Sequence, residues 1–173
     1  MDMFIEKMVA RKRRGKDFLI AVAATLVTTL LSFLIIGLFF GLLFGLELLI
    51  IVGLFFICYR IIAMQNVEFE YSLTNNELDI DKIIAQRRRK RIVTVNARSI
   101  DIFAPITNAQ YEHEKNSSSL TKTYDCSSGA GGSSTYFVVF FDGNGQKSML
   151  LFEPNQKMID GFKKYNKAKV FEV

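Results

Sequence analysis

From Phe18 to Met64 the chain reads FLIAVAATLVTTLLSFLIIGLFFGLLFGLELLIIVGLFFICYRIIAM, and before Arg60 its only charge is Glu47. As one helix this stretch would be roughly 70 Å long, at about 1.5 Å per residue, against a hydrocarbon core of about 30 Å. One crossing is therefore too few, and three would need about 60 residues. Two fit: Phe18–Phe40 out and Leu43–Met64 back, with a short turn at Gly41–Gly45. The rest of the chain has to be arranged around a membrane hairpin.

Gly37, Gly41 and Gly45 are spaced by four, and Glu47 follows. Glycine supplies the positive φ that a tight turn needs. A carboxylate at the bilayer centre costs at least about 2.5 kcal/mol, which places Glu47 at the interface beside the turn. Small residues at this spacing also form helix-packing faces. Both readings stand together if Gly37 packs and Gly41 or Gly45 turns.

Lys7, Arg11, Lys12, Arg13, Arg14 and Lys16 directly precede the apolar block. Clusters of this kind stay cytoplasmic. A cleaved signal peptide is excluded, because Ala21-Val22-Ala23 opens the apolar run instead of closing it. Phe4, Ile5, Met8 and Val9 fall at helical spacing, which reads either as a short helix on the inner leaflet or as a frayed lead-in to a topology signal. Two spans return the chain to the side it left, and Arg60, Lys82 and Arg87–Arg91 make the second flank positive too. The sequence thus predicts a cell-membrane protein with both termini cytoplasmic. Residues 1–17 form a basic segment, 18–64 the hairpin and 66–173 a small domain. Cys58 and Cys126 give no disulfide framework, in keeping with a reducing compartment.

In the domain, Val67–Leu73 alternates apolar and polar residues as a half-buried strand does. Thr74-Asn75-Asn76 is a turn signal. Leu78–Ile84, Ile92–Asn96 and Ile100–Phe103 follow as strands. From Asn108 to Ser134 the chain is polar and almost free of aliphatic residues, Leu120 apart. Such a stretch has little to bury against the ordering entropy, so it is expected to be the most mobile part of the domain, with at most a short strand around Ser119–Tyr124. Thr135–Phe141 and Ser148–Phe152 are strands joined across Gly143-Asn144-Gly145, since Asn-Gly between apolar runs is a strong hairpin signal. Pro154 opens a final helix with Met158, Ile159, Phe162 and Tyr165 on one face. Strands followed by one amphipathic helix predict a small α+β domain, an antiparallel sheet or small barrel.

The most pointed feature of the domain is the run Arg87, Arg88, Arg89, Lys90 and Arg91. From Arg60 onward the chain holds 16 Lys or Arg and 13 Asp or Glu, and without this run its net charge turns from +3 to −2. Between strands ending at Ile84 and starting at Ile92, the run reads as a hairpin tip. Near an inner leaflet it would meet a negative surface and attract anionic headgroups. A solvated turn or a second topology signal is the alternative. Nucleic acid is not expected, because no aromatic residues interleave with the charges. Gly143–Ser148 lacks the spacing and the helix of a phosphate loop. His113 has no second histidine beside it, and Cys126 lacks an oriented base. The sequence therefore assigns no catalytic residue, no cofactor and no metal site.

The run VEFEYSLTNNELDIDKIIAQRRRKRIVTVN after a two-span hairpin, the basic N-terminal stretch and the closing FEPNQKMIDGFKKY resemble a family of small two-span membrane proteins of unknown function from Gram-positive bacteria. By element order the soluble part is similar to bacterial PH-like domains attached to membrane spans. The resemblance implies location and architecture, not chemistry. The expected function is that of a non-enzymatic membrane protein presenting a PH-like interaction domain at the cytoplasmic face, in contact with anionic lipid or a protein partner. The alternative is an accessory subunit of a membrane enzyme or transporter, with the hairpin making the important contacts.

Overall fold

The computed structural model describes residues 3–39, 45–131 and 134–171. The chain divides into two compact units, one formed by the residues up to Lys12 together with Glu68 onward, the other by Arg13–Val67.

The second unit is a helical hairpin of α1, Gly15–Phe39, and α2, Leu46–Ala63. At about 1.5 Å per residue these helices are roughly 37 and 27 Å long, enough to cross a hydrocarbon core. Each begins with a carboxylate in its first turn, where the helix dipole favours negative charge. Asp17 accepts a hydrogen bond from the Arg14 amide at 2.9 Å, and Glu47 accepts one from the Gly45 amide at 3.0 Å. Gly45 caps α2 with φ of 88°, so the expected turning role holds for this glycine. Gly41 lies outside the described residues. Gly37 has nothing within 4 Å of where a Cβ would stand, so it does not pack the helices. Their contact buries Thr28, Ser32 and Cys58 instead, and the Ser32 hydroxyl is satisfied by the Thr28 carbonyl at 2.8 Å. The large apolar side chains point away: Leu30, Phe33 and Leu49 are 68%, 70% and 72% exposed. That is too much contiguous apolar surface for water.

The first unit opens with a surprise. Phe4–Ala10 is a strand, β1, not the surface helix or frayed lead-in that the spacing suggested. Seven residues satisfy either period, and the free edge of β2, Val67–Thr74, decides between them. The two strands pair antiparallel from Phe4 opposite Thr74 to Ala10 opposite Glu68. Val9 is buried on the inner side, and Lys7 donates from Nζ to the Glu153 carbonyl at 2.7 Å. The segment before the hairpin therefore belongs to the sheet, and everything from Arg11 to Asn66 is an excursion between neighbouring strands.

The first sheet has the order β1-β2-β3-β4, with β3 Glu77–Ile84 and β4 Arg88–Asn96. Asn75, at φ 52°, makes the turn between β2 and β3, as the sequence suggested. β4 begins four residues earlier than expected. The turn into it is made by Ala85 and Gln86, both at positive φ, so most of the basic run is strand and not tip. A bulge between Ile80 and Asp81 sets Ile80 opposite Val93 and Asp81 opposite Arg91. This keeps Val93 and Val95 on the core while Arg89 and Arg91 take the opposite face.

The second sheet is β5-β7-β8-β6. β5 is Ile100–Pro105, β6 Lys122–Asp125, β7 Tyr136–Phe141 and β8 Lys147–Phe152. Asp142 Oδ1 accepts from the Asn144 and Gln146 amides, both at 2.9 Å, and Gly145 takes φ 73°, which forms the expected β7–β8 hairpin. Both faces of this sheet are covered, which is why YFVVFF is a continuous apolar run. One face carries Ile102, Ala104, Phe137, Val139 and Met149, with Tyr111, Leu120 and Leu151 packed over them. Tyr111 comes from a short helix, α3, Gln110–Lys115. The polar stretch is thus not structureless: it supplies α3, the strand β6 parallel to β8, and the buried Cys126.

The other face meets the first sheet and α4, Gln156–Asn166, through an aromatic cluster. Phe103 stacks on Phe162 with centroids 4.9 Å apart and contacts Tyr136 and Phe152 at 5.3 and 5.8 Å. Tyr71 from the first sheet meets Phe152 edge-on at 5.6 Å. Met158, Ile159 and Phe162 form the buried face of α4 as expected. The helix opens at Gln156 and not at Pro154, with Asn155 as its cap, whose side chain accepts from the Met158 amide at 2.9 Å.

Candidate interaction surface

The pairing of the first sheet sorts its ends. At one end stand Phe4, Thr74, Glu77 and Asn96; at the other stand Ala10, Glu68, Ile84 and Arg88. The β3–β4 turn therefore lies at the same end from which the chain leaves for α1 and to which it returns from α2. Arg87–Arg91 are all exposed there.

The five residues are not equivalent. Arg89 Nη2 lies 2.5 Å from Glu70 Oε2, an ion pair that reaches across β3 and gives that buried oxygen its charged partner. Arg91 holds two acids, with Nε 2.5 Å from Asp81 Oδ1 and Nη1 2.7 Å from Asp79 Oδ1. The Asp81 hydrogen bond raises the Arg91 guanidinium still further above its ordinary value. Glu70 and Asp81 are both buried, and an uncompensated buried charge is strongly destabilising. Two of the five cations are thus engaged with the domain's own carboxylates. Among the described residues no carboxylate pairs with Arg87, Arg88 or Lys90. The register also brings Lys82, from β3, directly opposite Lys90. Sequence reasoning counted Lys82 only as a charge of the second flank and passed over the acidic partners. Asp79 and Asp81 alternate in step with Arg89 and Arg91, a signal readable only once the turn is placed at Ala85-Gln86.

The other sequence candidates scatter. His113 is exposed on α3, and no cluster of three His, Cys, Asp or Glu suited to a metal occurs among the described residues. It borders an open cleft of about 560 Å³ with Asp101, Gln110, Glu114 and Lys169, but Glu114 is already paired with Lys147 at 2.7 Å. Cys126 is buried beneath the Tyr71 hydroxyl, which donates to its carbonyl at 2.6 Å. Burial, and then the Asp125 charge, push its thiol up to about 12. Burial likewise raises the Tyr71 phenol.

A pH dependence follows from these two groups. Unfolding frees a thiol that ionises near pH 9, whereas the folded thiol keeps its proton to about 12. Between those values the unfolded chain binds fewer protons than the folded one, so stability falls as pH rises and is unaffected below that window. Thermal melts from neutral to pH 11 are expected to show the midpoint dropping above pH 9, and Cys126→Ala should flatten the slope. An equal slope in that variant would show the thiol is not responsible.

Two packed sheets, entered by a strand that precedes a helical excursion and closed by one C-terminal helix, define an α+β domain of PH-like type. The chain belongs to the family of bacterial PH-like domains, DUF6106, which matches residues 1–172. No curated protein and no solved structure matches it. PH-like domains are generally non-catalytic interaction modules.

Proposed function

We propose that this protein is an integral membrane protein that holds a non-enzymatic PH-like domain at the cytoplasmic face and contacts anionic headgroups through the end of its β3–β4 hairpin. The observation that carries the reading is the shared sheet end: the basic turn and both connections to the apolar hairpin leave the domain together. Attraction to an anionic leaflet fades within about 8 Å at physiological salt, so a basic run at the far end would be ineffective. Pairing of β1 with β2 supports a topology with both flanks of the hairpin on one side, and their positive charge favours the cytoplasmic side. The non-enzymatic reading is supported by the dispersal of the reactive groups, with His113 on the surface and Cys126 buried.

The full chain, with a donor dye on Gln86→Cys and both native cysteines replaced, tests the reading in reconstituted bilayers carrying an acceptor-labelled lipid. Energy transfer is expected to be greater with phosphatidylglycerol present than in phosphatidylcholine alone, and to decline as salt rises. Equal transfer in both bilayers would overturn the lipid contact. Sidedness is read separately in cells: Lys169→Cys should react with an impermeant maleimide only after permeabilisation. A stoichiometric integral partner captured by cross-linking would favour the accessory-subunit alternative.

A further inference from the structure

Resting on that reading, we infer that the headgroup contact is made by a cationic rung, Lys82 opposite Lys90 with Arg88 beside it, and not by the basic run as a whole. Lys82 and Lys90 are direct cross-strand partners, and Arg88 follows opposite Ile84. Alternation of side chains puts Lys82, Ile84, Arg88 and Lys90 on one face of the hairpin and Asp81, Ile83, Arg89 and Arg91 on the other. The second face is internally neutralised by Glu70, Asp79 and Asp81. On the first face no carboxylate pairs with any of the three cations among the described residues.

Like charges placed directly opposite on neighbouring strands destabilise a sheet. The same hairpin shows how cationic charge is otherwise compensated, by Glu70 beside Arg89 and by Asp79 and Asp81 beside Arg91. The Lys82–Lys90 rung lacks such an acid, and Lys82 is only half exposed, with its charge felt by the buried Cys126 thiol. An external anion that bridges two ammonium groups would remove the repulsion. A phosphodiester offers two oxygen acceptors that share one negative charge, and lysine serves as a point-charge phosphate binder. The occupant argued for is the anionic phospholipid of the bilayer that the chain itself enters, because the rung stands at the end from which α1 and α2 depart.

The test uses the reconstituted full chain with the Gln86→Cys dye. Lys82→Gln, Arg88→Gln and Lys90→Gln together are expected to abolish the increment of energy transfer that phosphatidylglycerol produces. Glu70→Gln with Arg89→Gln, which removes an internal pair without stranding a buried carboxylate, is expected to keep at least half of that increment and stay folded by circular dichroism. Should the triple variant retain the increment and the Glu70/Arg89 variant lose it, the assignment to this rung is wrong while the bilayer contact stands. Should the unaltered chain show no increment, the contact itself fails, and the rung with it.

Discussion

A fragment beginning at Asn66 is expected not to fold as a cooperative domain, although it holds the whole region that reads as soluble. It lacks β1 and leaves the edge of β2 bare from Glu68 to Thr74, a row of unpaired backbone groups and a template for aggregation. It also loses the cover that Val9 gives the core and the Lys7 hydrogen bond to the Glu153 carbonyl. By contrast, a chain in which residues 13–65 are replaced by a short Gly/Ser linker should fold, because Ala10 and Glu68 are already neighbours. Near-ultraviolet circular dichroism and thermal melts separate the outcomes. The expected result is a sharp transition for the linked chain and a broad or absent one for the fragment. Melting of the fragment at the linked chain's temperature would mean that β1 is an ornament.

The second large effect is expected at Phe103. Its ring is fully buried and touches Tyr136, Phe152 and Phe162, so it joins β5 to β7, β8 and α4. Truncation of a core phenylalanine costs about 3–5 kcal/mol through lost burial and the cavity left behind. Domains have total stabilities of about 5–15 kcal/mol, so Phe103→Ala in the linked chain should remove a large part of the whole. Phe141→Ala is the control, since that ring is 52% exposed on the same sheet. Urea midpoints should differ widely between the two variants. Equal midpoints would show that the aromatic cluster does not organise the domain.

Much of this architecture was legible because its signals are local. The apolar block had only one economical solution, the Asn-Gly turn announced β7–β8, and the apolar stripe of α4 carried its own period. What escaped depended on partners far away in sequence. FIEKMVA satisfies a helix and a strand equally, and only the edge of β2 chooses. The polar stretch after Asn108 looked to have little to bury, yet single residues suffice: Tyr111 lies 5.3 Å from Phe137, and Leu120 joins the same cluster. Ser128 adds a buried hydrogen bond from its hydroxyl to Glu153 at 2.6 Å, which a count of aliphatic side chains does not register. In the basic run the charge was visible, but its division into paired and unpaired cations needed the register, which a one-residue slip would have inverted.

The placement of β1 ahead of the hairpin has a consequence for how the protein is made. β1 leaves the ribosome first, yet its partner β2 emerges only after the entire hairpin. At about 5–20 residues per second this leaves β1 waiting for several seconds while the two apolar helices are made. If only one helix crosses, β1 and β2 end on opposite sides and the ladder from Phe4 to Ala10 cannot close. On the proposed membrane topology, a hairpin with both helices inserted would return β2 beside β1, so closure of the sheet would depend on complete insertion. With a single helix inserted, the edge of β2 would stay unpaired and open to proteolysis.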